Sequence, residues 1–215
     1  MATSKNDGNC FICGQTMSKT KMKNHIIKEH MQGDEECVLV KIEGGQGKKY
    51  WLFVDIPKKS TLDVLDQFLR EIWMECCGHM STFSVGRYED AELAMSRKLS
   101  AFPAGSVFNY EYDMGSTTES LITVVAETGR PKQKSAVRLL ARNEPFAYKC
   151  TECGKPAVHI CQECMWETDD AYYCKKCGKD HECDMLISIT NSPRCGECGY
   201  DGETDTFVFD EKKFA

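Results

Sequence analysis

The sequence contains no apolar run approaching the roughly eighteen residues a membrane-spanning helix needs, and no apolar stretch near its start of the kind that directs secretion. It also lacks the clustered carboxylate pair, or the metal motif with an open coordination position, on which hydrolysis usually depends. None of its C-x-x-C pairs opens a helix in the βαβ setting of a redox dithiol. No internal repeat is longer than such a pair. Together these absences argue against a membrane protein and a thiol oxidoreductase, and lead us to expect a soluble, cytoplasmic protein.

Cysteine, by contrast, is abundant. Fourteen cysteines in 215 residues mean either a disulfide scaffold or thiolate metal sites, and spacing separates the two. Most of these cysteines fall in or beside C-x-x-C knuckles, which is metal-site spacing, and zinc is the expected ion. Charge is divided unevenly. Residues 1–33 carry five lysines against Asp7 and Glu29, a net of +3, whereas residues 150–215 carry seven Lys and Arg against fourteen acids, a net of −7, in a chain of net charge −6. The basic end suits phosphate and the acidic end repels it.

The chain divides into a finger (1–33), an α+β segment (37–128), a basic connector (129–149) and a cysteine-rich end (150–215). A polar stretch, "MQGDEE", links the first two. "CVLVKIEGGQGKKYWLFVDIP" reads as a hairpin around a Gly-rich turn. "STLDVLDQFLREIWMEC" then gives a helix capped by Ser60 or Thr61, with Leu62, Leu65, Phe68, Leu69, Ile72 and Trp73 on one face. "STFSVG", "VFNYEYDM" and "SLITVVAE" are strands, and "AVRLLA" in the connector is a candidate for another. The expected order is ββαβββ, an α+β domain with the helix on one face of the sheet. Its expected core is Leu65, Phe68, Trp73, Val85, Phe108, Ile122 and Val124.

In "CFICGQTMSKTKMKNHIIKEH", Cys10 and Cys13 form a knuckle, and His25 and His30 lie where one helix face can close a tetrahedron around zinc. Met17 and Met22 provide an apolar plug. The segment resembles the two-cysteine two-histidine zinc finger family, with eleven rather than twelve residues between Cys13 and His25. That resemblance implies Ser18, Lys21 and Asn24 as the side chains that would face a DNA groove. Phosphate contacts would fall to Lys19, Lys21, Lys23 and, from the connector, Arg138.

The C-terminal segment reads Cys150-x-x-Cys153, Cys161-x-x-Cys164, Cys174-x-x-Cys177, His181-x-Cys183 and Cys195-x-x-Cys198. Each zinc takes two such pairs, so two ions are expected here, in an interleaved cross-brace or a zinc-ribbon-like arrangement. Interleaving assigns Cys150, Cys153, Cys174 and Cys177 to one ion and Cys161 and Cys164 to the other. Two of His181, Cys183, Cys195 and Cys198 complete the second site, and spacing does not choose between them. His159 reads as a packing or surface histidine.

"MECCGHMSTF" sets Cys76 and Cys77 beside His79, which is either a nucleophile with a nearby base or helix-end packing. With Trp73, His79, Phe83, Tyr110, Tyr112, Asp113 and Gly115 in place, residues 37–128 resemble the plasmid pRiA-type ORF-three-like family. The resemblance implies a small α+β domain and, through that family's association with mobile elements, a link to nucleic acid. It implies no reaction. His79, Tyr110, Tyr112 and Asp113 are candidates for a ligand site, the alternative being that Asp113, just before Gly115, simply caps a turn. The reading that needs least is a zinc-binding adaptor. Its finger and connector would touch DNA or RNA, and its acidic end a protein. The alternative is a hydrolase or nuclease with its site on the α+β domain.

Overall fold

The computed structural model describes residues 6–86, 92–168 and 171–202. In chain order it contains β1 (Asp7–Cys10), β2 (Thr16–Ser18), α1 (Lys19–Glu29), β3 (Glu35–Gly44), β4 (Tyr50–Pro57), α2 (Leu62–Leu69), β5 (Ser81–Ser84), β6 (Glu92–Leu93), β7 (Val107–Tyr112), β8 (Thr118–Arg130) and β9 (Arg138–Asn143). Three short strands follow: β10 (His159–Cys161), β11 (Tyr172–Tyr173) and β12 (Leu186–Ser188). The first nine strands form one antiparallel sheet in the order β2-β1-β9-β4-β3-β8-β7-β5-β6, and the last three form a small sheet, β11-β10-β12. Among the described residues, no helix is long and apolar enough to cross a membrane.

Successive side chains of a strand point to opposite faces, and the central strands are apolar on both. Val38, Val40 and Ile42 of β3, with Leu52, Val54 and Ile56 of β4, pack against Leu65, Phe68, Leu69 and Ile72 of the α2 segment. The intervening Leu39, Trp51 and Phe53 face the other way and pack with Met22 and Ile26 of α1 and with Leu140. Every residue of β4 is therefore buried. The sheet lies between two helical covers, one from the central segment and one from the finger.

The structure is α+β and mostly sheet, but its element order is not ββαβββ. β6 adds an edge strand after β5, and β9, formed by part of the basic connector, enters the sheet between β1 and β4. Through β9 the finger joins the same sheet, because β1 pairs with it at Gly8–Asn143, Asn9–Arg142 and Cys10–Ala141. Gly8 permits this approach, since a Cβ there would lie 2.4 Å from the Trp51 ring and 2.1 Å from Arg142 O. The "MQGDEE" link is shorter than expected, as β3 begins at Glu35. Val85, expected in the core, follows the end of β5 and is 48% exposed, while the other six core positions are buried.

α2 starts at an extended Thr61 and passes into a π turn, Arg70–Met74. The turn buries Ile72, Trp73 and Met74 and delivers Cys76 and Cys77 just beyond its end. Buried Asp66 fixes this end of the helix. Its carboxylate accepts hydrogen bonds from Arg70 (2.8 Å), Ser81 (2.6 Å) and Tyr110 (2.8 Å).

One buried charge cluster ties the connector to the sheet. Asp55 is fully buried and accepts from Arg130 Nη1 (2.9 Å) and Arg138 Nε (2.9 Å), while Arg130, also fully buried, donates to Glu35 (2.8 Å) and to Ser135 O (2.7 Å). Removing one partner of such a cluster strands the others without solvation. Asp55→Ala is expected to lower the unfolding free energy by about 3–5 kcal/mol, read from the urea midpoint. A loss below about 1 kcal/mol would show that the arginines find water instead.

Candidate metal centres

The finger is built as its sequence suggests. Between β1 and β2 the chain reverses at Gly14, whose φ of +73° lets its N–H reach Cys10 O at 2.8 Å. Met22 and Ile26 seat α1 on the sheet, which leaves His25 and the C-cap His30 facing the knuckle. Cys13 Sγ lies 3.2 Å from His25 Nε2, which is 3.0 Å from His30 Nε2. Cys10, Cys13, His25 and His30 form one four-ligand group.

In the C-terminal segment Cys150, Cys153, Cys174 and Cys177 form a second group, and Cys161, Cys164, His181 and Cys183 a third. The pairs alternate along the chain, so the two groups interlock across the sheet β11-β10-β12. Sequence spacing left four candidates for the third group, and the fold selects His181 and Cys183. Cys164 Sγ is 3.5 Å from His181 Nε2 and 3.8 Å from Cys183 Sγ. Cys195 belongs to none of the groups, and its Sγ accepts the Thr190 N–H at 3.3 Å. His159 lies in β10, half-buried and outside every group.

A fourth gathering, Cys76, Cys77, His79 and Cys198, was not anticipated as one group. Cys198, one of four candidates for two places in the cross-brace, instead meets Cys77 beyond the end of α2. The remaining positions of the suggested ligand site are otherwise occupied. Tyr110 is buried with its hydroxyl on Asp66, and Tyr112 lies beneath the guanidiniums of Arg70 and Arg194, 5.0 and 4.9 Å from its ring centroid. Asp113 accepts from Arg194 Nη2 at 2.6 Å and from Gly115 N at 2.9 Å, and the Arg194 guanidinium holds its carboxyl down at about 2. A cleft of about 850 Å³ lies elsewhere, lined by Glu43, Glu111, Glu119 and Glu197 and by Lys48, with Glu43 paired to Lys19 and Lys41.

The spacing of ligand atoms tests whether a metal fits. A tetrahedral ion with metal–sulfur bonds of about 2.3 Å and metal–nitrogen bonds of about 2.0–2.1 Å needs S···S edges of about 3.8 Å and N···S edges of about 3.6 Å. The Cys153–Cys174 and Cys164–Cys183 edges are 3.7 and 3.8 Å, and all ligand atoms of each group lie within 4.8 Å of one another. None of the fourteen cysteines is in a disulfide. These dimensions are compatible with a metal ion such as zinc.

Within each C-terminal group the thiols shift in opposite directions: hydrogen bonding with Cys153 pushes Cys177 up to about 12 and hydrogen bonding with Cys164 pushes Cys183 up to about 12, while one thiol of each group is held low. Burial raises Cys150, but backbone N–H groups of Cys174, Cys153 and Glu152 outweigh it and hold the thiol at about 6. Cys161 is treated alike, burial opposed first by the Cys164 N–H, and sits at about 7. Cys37, buried in β3 and in no group, is pushed up to about 12 by desolvation.

No family model matches the chain, and no curated protein matches it. Among solved structures it is similar to a protein of unknown function, MM3350 from Methanosarcina mazei Go1. The similarity has 16% identity and a TM-score of 0.41, over 50% of this chain and 67% of that one.

The interleaving makes a sharp expectation. Cys174→Ser should release the ion of Cys150, Cys153 and Cys177 while Cys161, Cys164, His181 and Cys183 keep theirs, and Cys195→Ser should release none. Metal analysis of the purified variants reads both counts. Loss of an ion on Cys195→Ser would contradict the ligand sets.

Proposed function

We propose that this chain is a zinc-organised adaptor, whose metal sites are structural and whose exposed surfaces do the binding. The observation that carries the reading is that every group supplies four ligands, which closes a zinc tetrahedron and leaves no position for a substrate. Donor type favours zinc, because thiolate and imidazole are its preferred partners. The fourteen cysteines, none in a disulfide, suit a reducing cytoplasm. Asp113 lies 3.4 Å from His79 Nε2 but is held by Arg194, and His79 belongs to a four-ligand group, so we assign the pair to structure and not to hydrolysis.

Weak nucleic-acid contact is assigned to the outward side of α1. Lys21 and Asn24 are exposed there, with Lys23 and Ser18 half-buried. Lys19 is otherwise engaged, 2.5 Å from Glu43. The connector contributes less than its composition suggests, since Arg130 and Arg138 are held by Asp55 and Arg142 donates to Asn191 O, which leaves exposed Lys132 and Lys134. The acidic C-terminal segment is assigned to a protein partner. Residues 203–215 of that segment, with Asp169 and Asp170, lie outside the described residues.

Phosphate contact releases counterions, so affinity should fall steeply with salt. Fluorescence anisotropy on mixed-sequence DNA and RNA is expected to show low-affinity binding. The double variant Lys21→Ala, Lys23→Ala should flatten the slope of log affinity against log salt by about 2 on duplex DNA. Absence of binding to either polymer at low salt, or an unchanged slope, would refute the nucleic-acid assignment.

A further inference from the structure

We infer that Cys76, Cys77, His79 and Cys198 form a fourth metal site, taking a soft divalent cation of the zinc class, and that it clasps the C-terminal strap, residues 190–202, to the end of α2. The two sulfur–sulfur edges are those of a tetrahedron, Cys76–Cys77 3.8 Å and Cys77–Cys198 3.7 Å, and His79 Nε2 lies 3.4 Å from Cys198 Sγ and 3.0 Å from Cys77 Sγ, closer than the tetrahedral edge, with all four ligand atoms within 4.8 Å of one another. Three of the ligands come from the short exit of the π turn. The fourth arrives from a segment more than a hundred residues away, so the convergence is made by the fold and not by local sequence.

Backbone conformation supports the same assignment. Cys198 has φ +46°, a left-handed conformation that non-glycine residues adopt at a cost of about 1–3 kcal/mol and keep where their surroundings hold them. Positive-φ glycines follow Cys77 and Cys198, at Gly78 and Gly199, as they follow the second cysteine of the knuckles at Gly14 and Gly154. The four thus share one local device for turning a sulfur towards an ion.

The charge environment also fits. Three thiolates and one divalent cation leave a net negative charge. The fully buried Arg194 offers Nη2 to Cys76 Sγ at 3.5 Å while anchored on Asp113 and, through Nη1, on Thr118 Oγ1 at 3.0 Å. Around the group the strap is set by buried polar contacts. Ser192 Oγ donates to Trp73 O at 2.6 Å, Asn191 Nδ2 to Asn143 O at 3.1 Å, and Tyr200 is buried against Ile72. A metal ion at Cys198 would hold the strap between Arg194 and Tyr200. Cys77 and Cys198 are exposed there, so burial does not hold the two sulfurs together.

The test is metal analysis of the intact chain with a thiol map. Four ions per chain are expected, matching the four groups. Cys198→Ser and His79→Ala should each retain three, and limited proteolysis should then cut within 190–202. Should these variants not fold, the unaltered protein still decides. Iodoacetamide should label the exposed Cys77 and Cys198 about tenfold or more slowly than after chelation, because metal-held thiolate is shielded. Three ions in the unaltered chain, equal labelling of Cys77 and Cys198 with and without chelator, or a non-reducing peptide map joining Cys77 to Cys198, would each overturn the site.

Discussion

A sheet that is apolar on both faces must be covered twice, and that constraint organises this protein. β3 and β4 present Val40, Ile42, Leu52 and Val54 to one side and Leu39, Trp51 and Phe53 to the other. The first side is closed by α2 and its π turn, which belong to the same continuous core. The second is closed by α1, a helix of eleven residues. Helices shorter than roughly 12–15 residues are marginal in water by themselves, so α1 needs an external hold. A metal ion held by Cys10, Cys13, His25 and His30 would supply it by tying α1 to the β1 knuckle, while β1 is hydrogen-bonded into the sheet through β9.

This arrangement changes what a finger of this type can do. In a free-standing finger the helix is available for a groove, but here Met22 and Ile26 commit one side of α1 to Trp51 and Phe53. What remains outward is a short polar face around Lys21 and Asn24. On the function proposed above, contact through this face would add to another binding event and would not read sequence alone, because one finger spans about three base pairs.

The C-terminal segment meets the same problem with fewer apolar residues. Its own core is small, centred on Ile160, Ala171 and Tyr173, and small domains often need a metal or disulfide to hold one shape. Its attachment to the large sheet is largely polar: Asn191 on Asn143, Ser192 on Trp73 and Arg194 on Asp113. Buried hydrogen bonds of this kind add little net stability but are costly to break singly, so they fix position more than they drive docking.

Much of the fold was legible because it is local. The β3–β4 hairpin, the Thr61-capped helix and the interleaved knuckles all announce themselves over short spans. The features that escaped depend on distant contacts. "AVRLLA" was legible as a candidate strand, but not its place between β1 and β4, nor that Asp55 holds Arg138. Cys195-x-x-Cys198 looks like one knuckle, yet Cys195 accepts the Thr190 N–H while Cys198 turns out to meet Cys77. No spacing rule links Cys198 to residues so far back. Hydrogen-exchange mass spectrometry of the native and chelated protein tests the central claim that metal-held elements cover a sheet with its own core. On chelation, protection should be lost in α1 and in residues 150–202 and retained in β3, β4 and β8. Unchanged protection in α1, or collapse of protection in β3 and β4 together with it, would contradict that account.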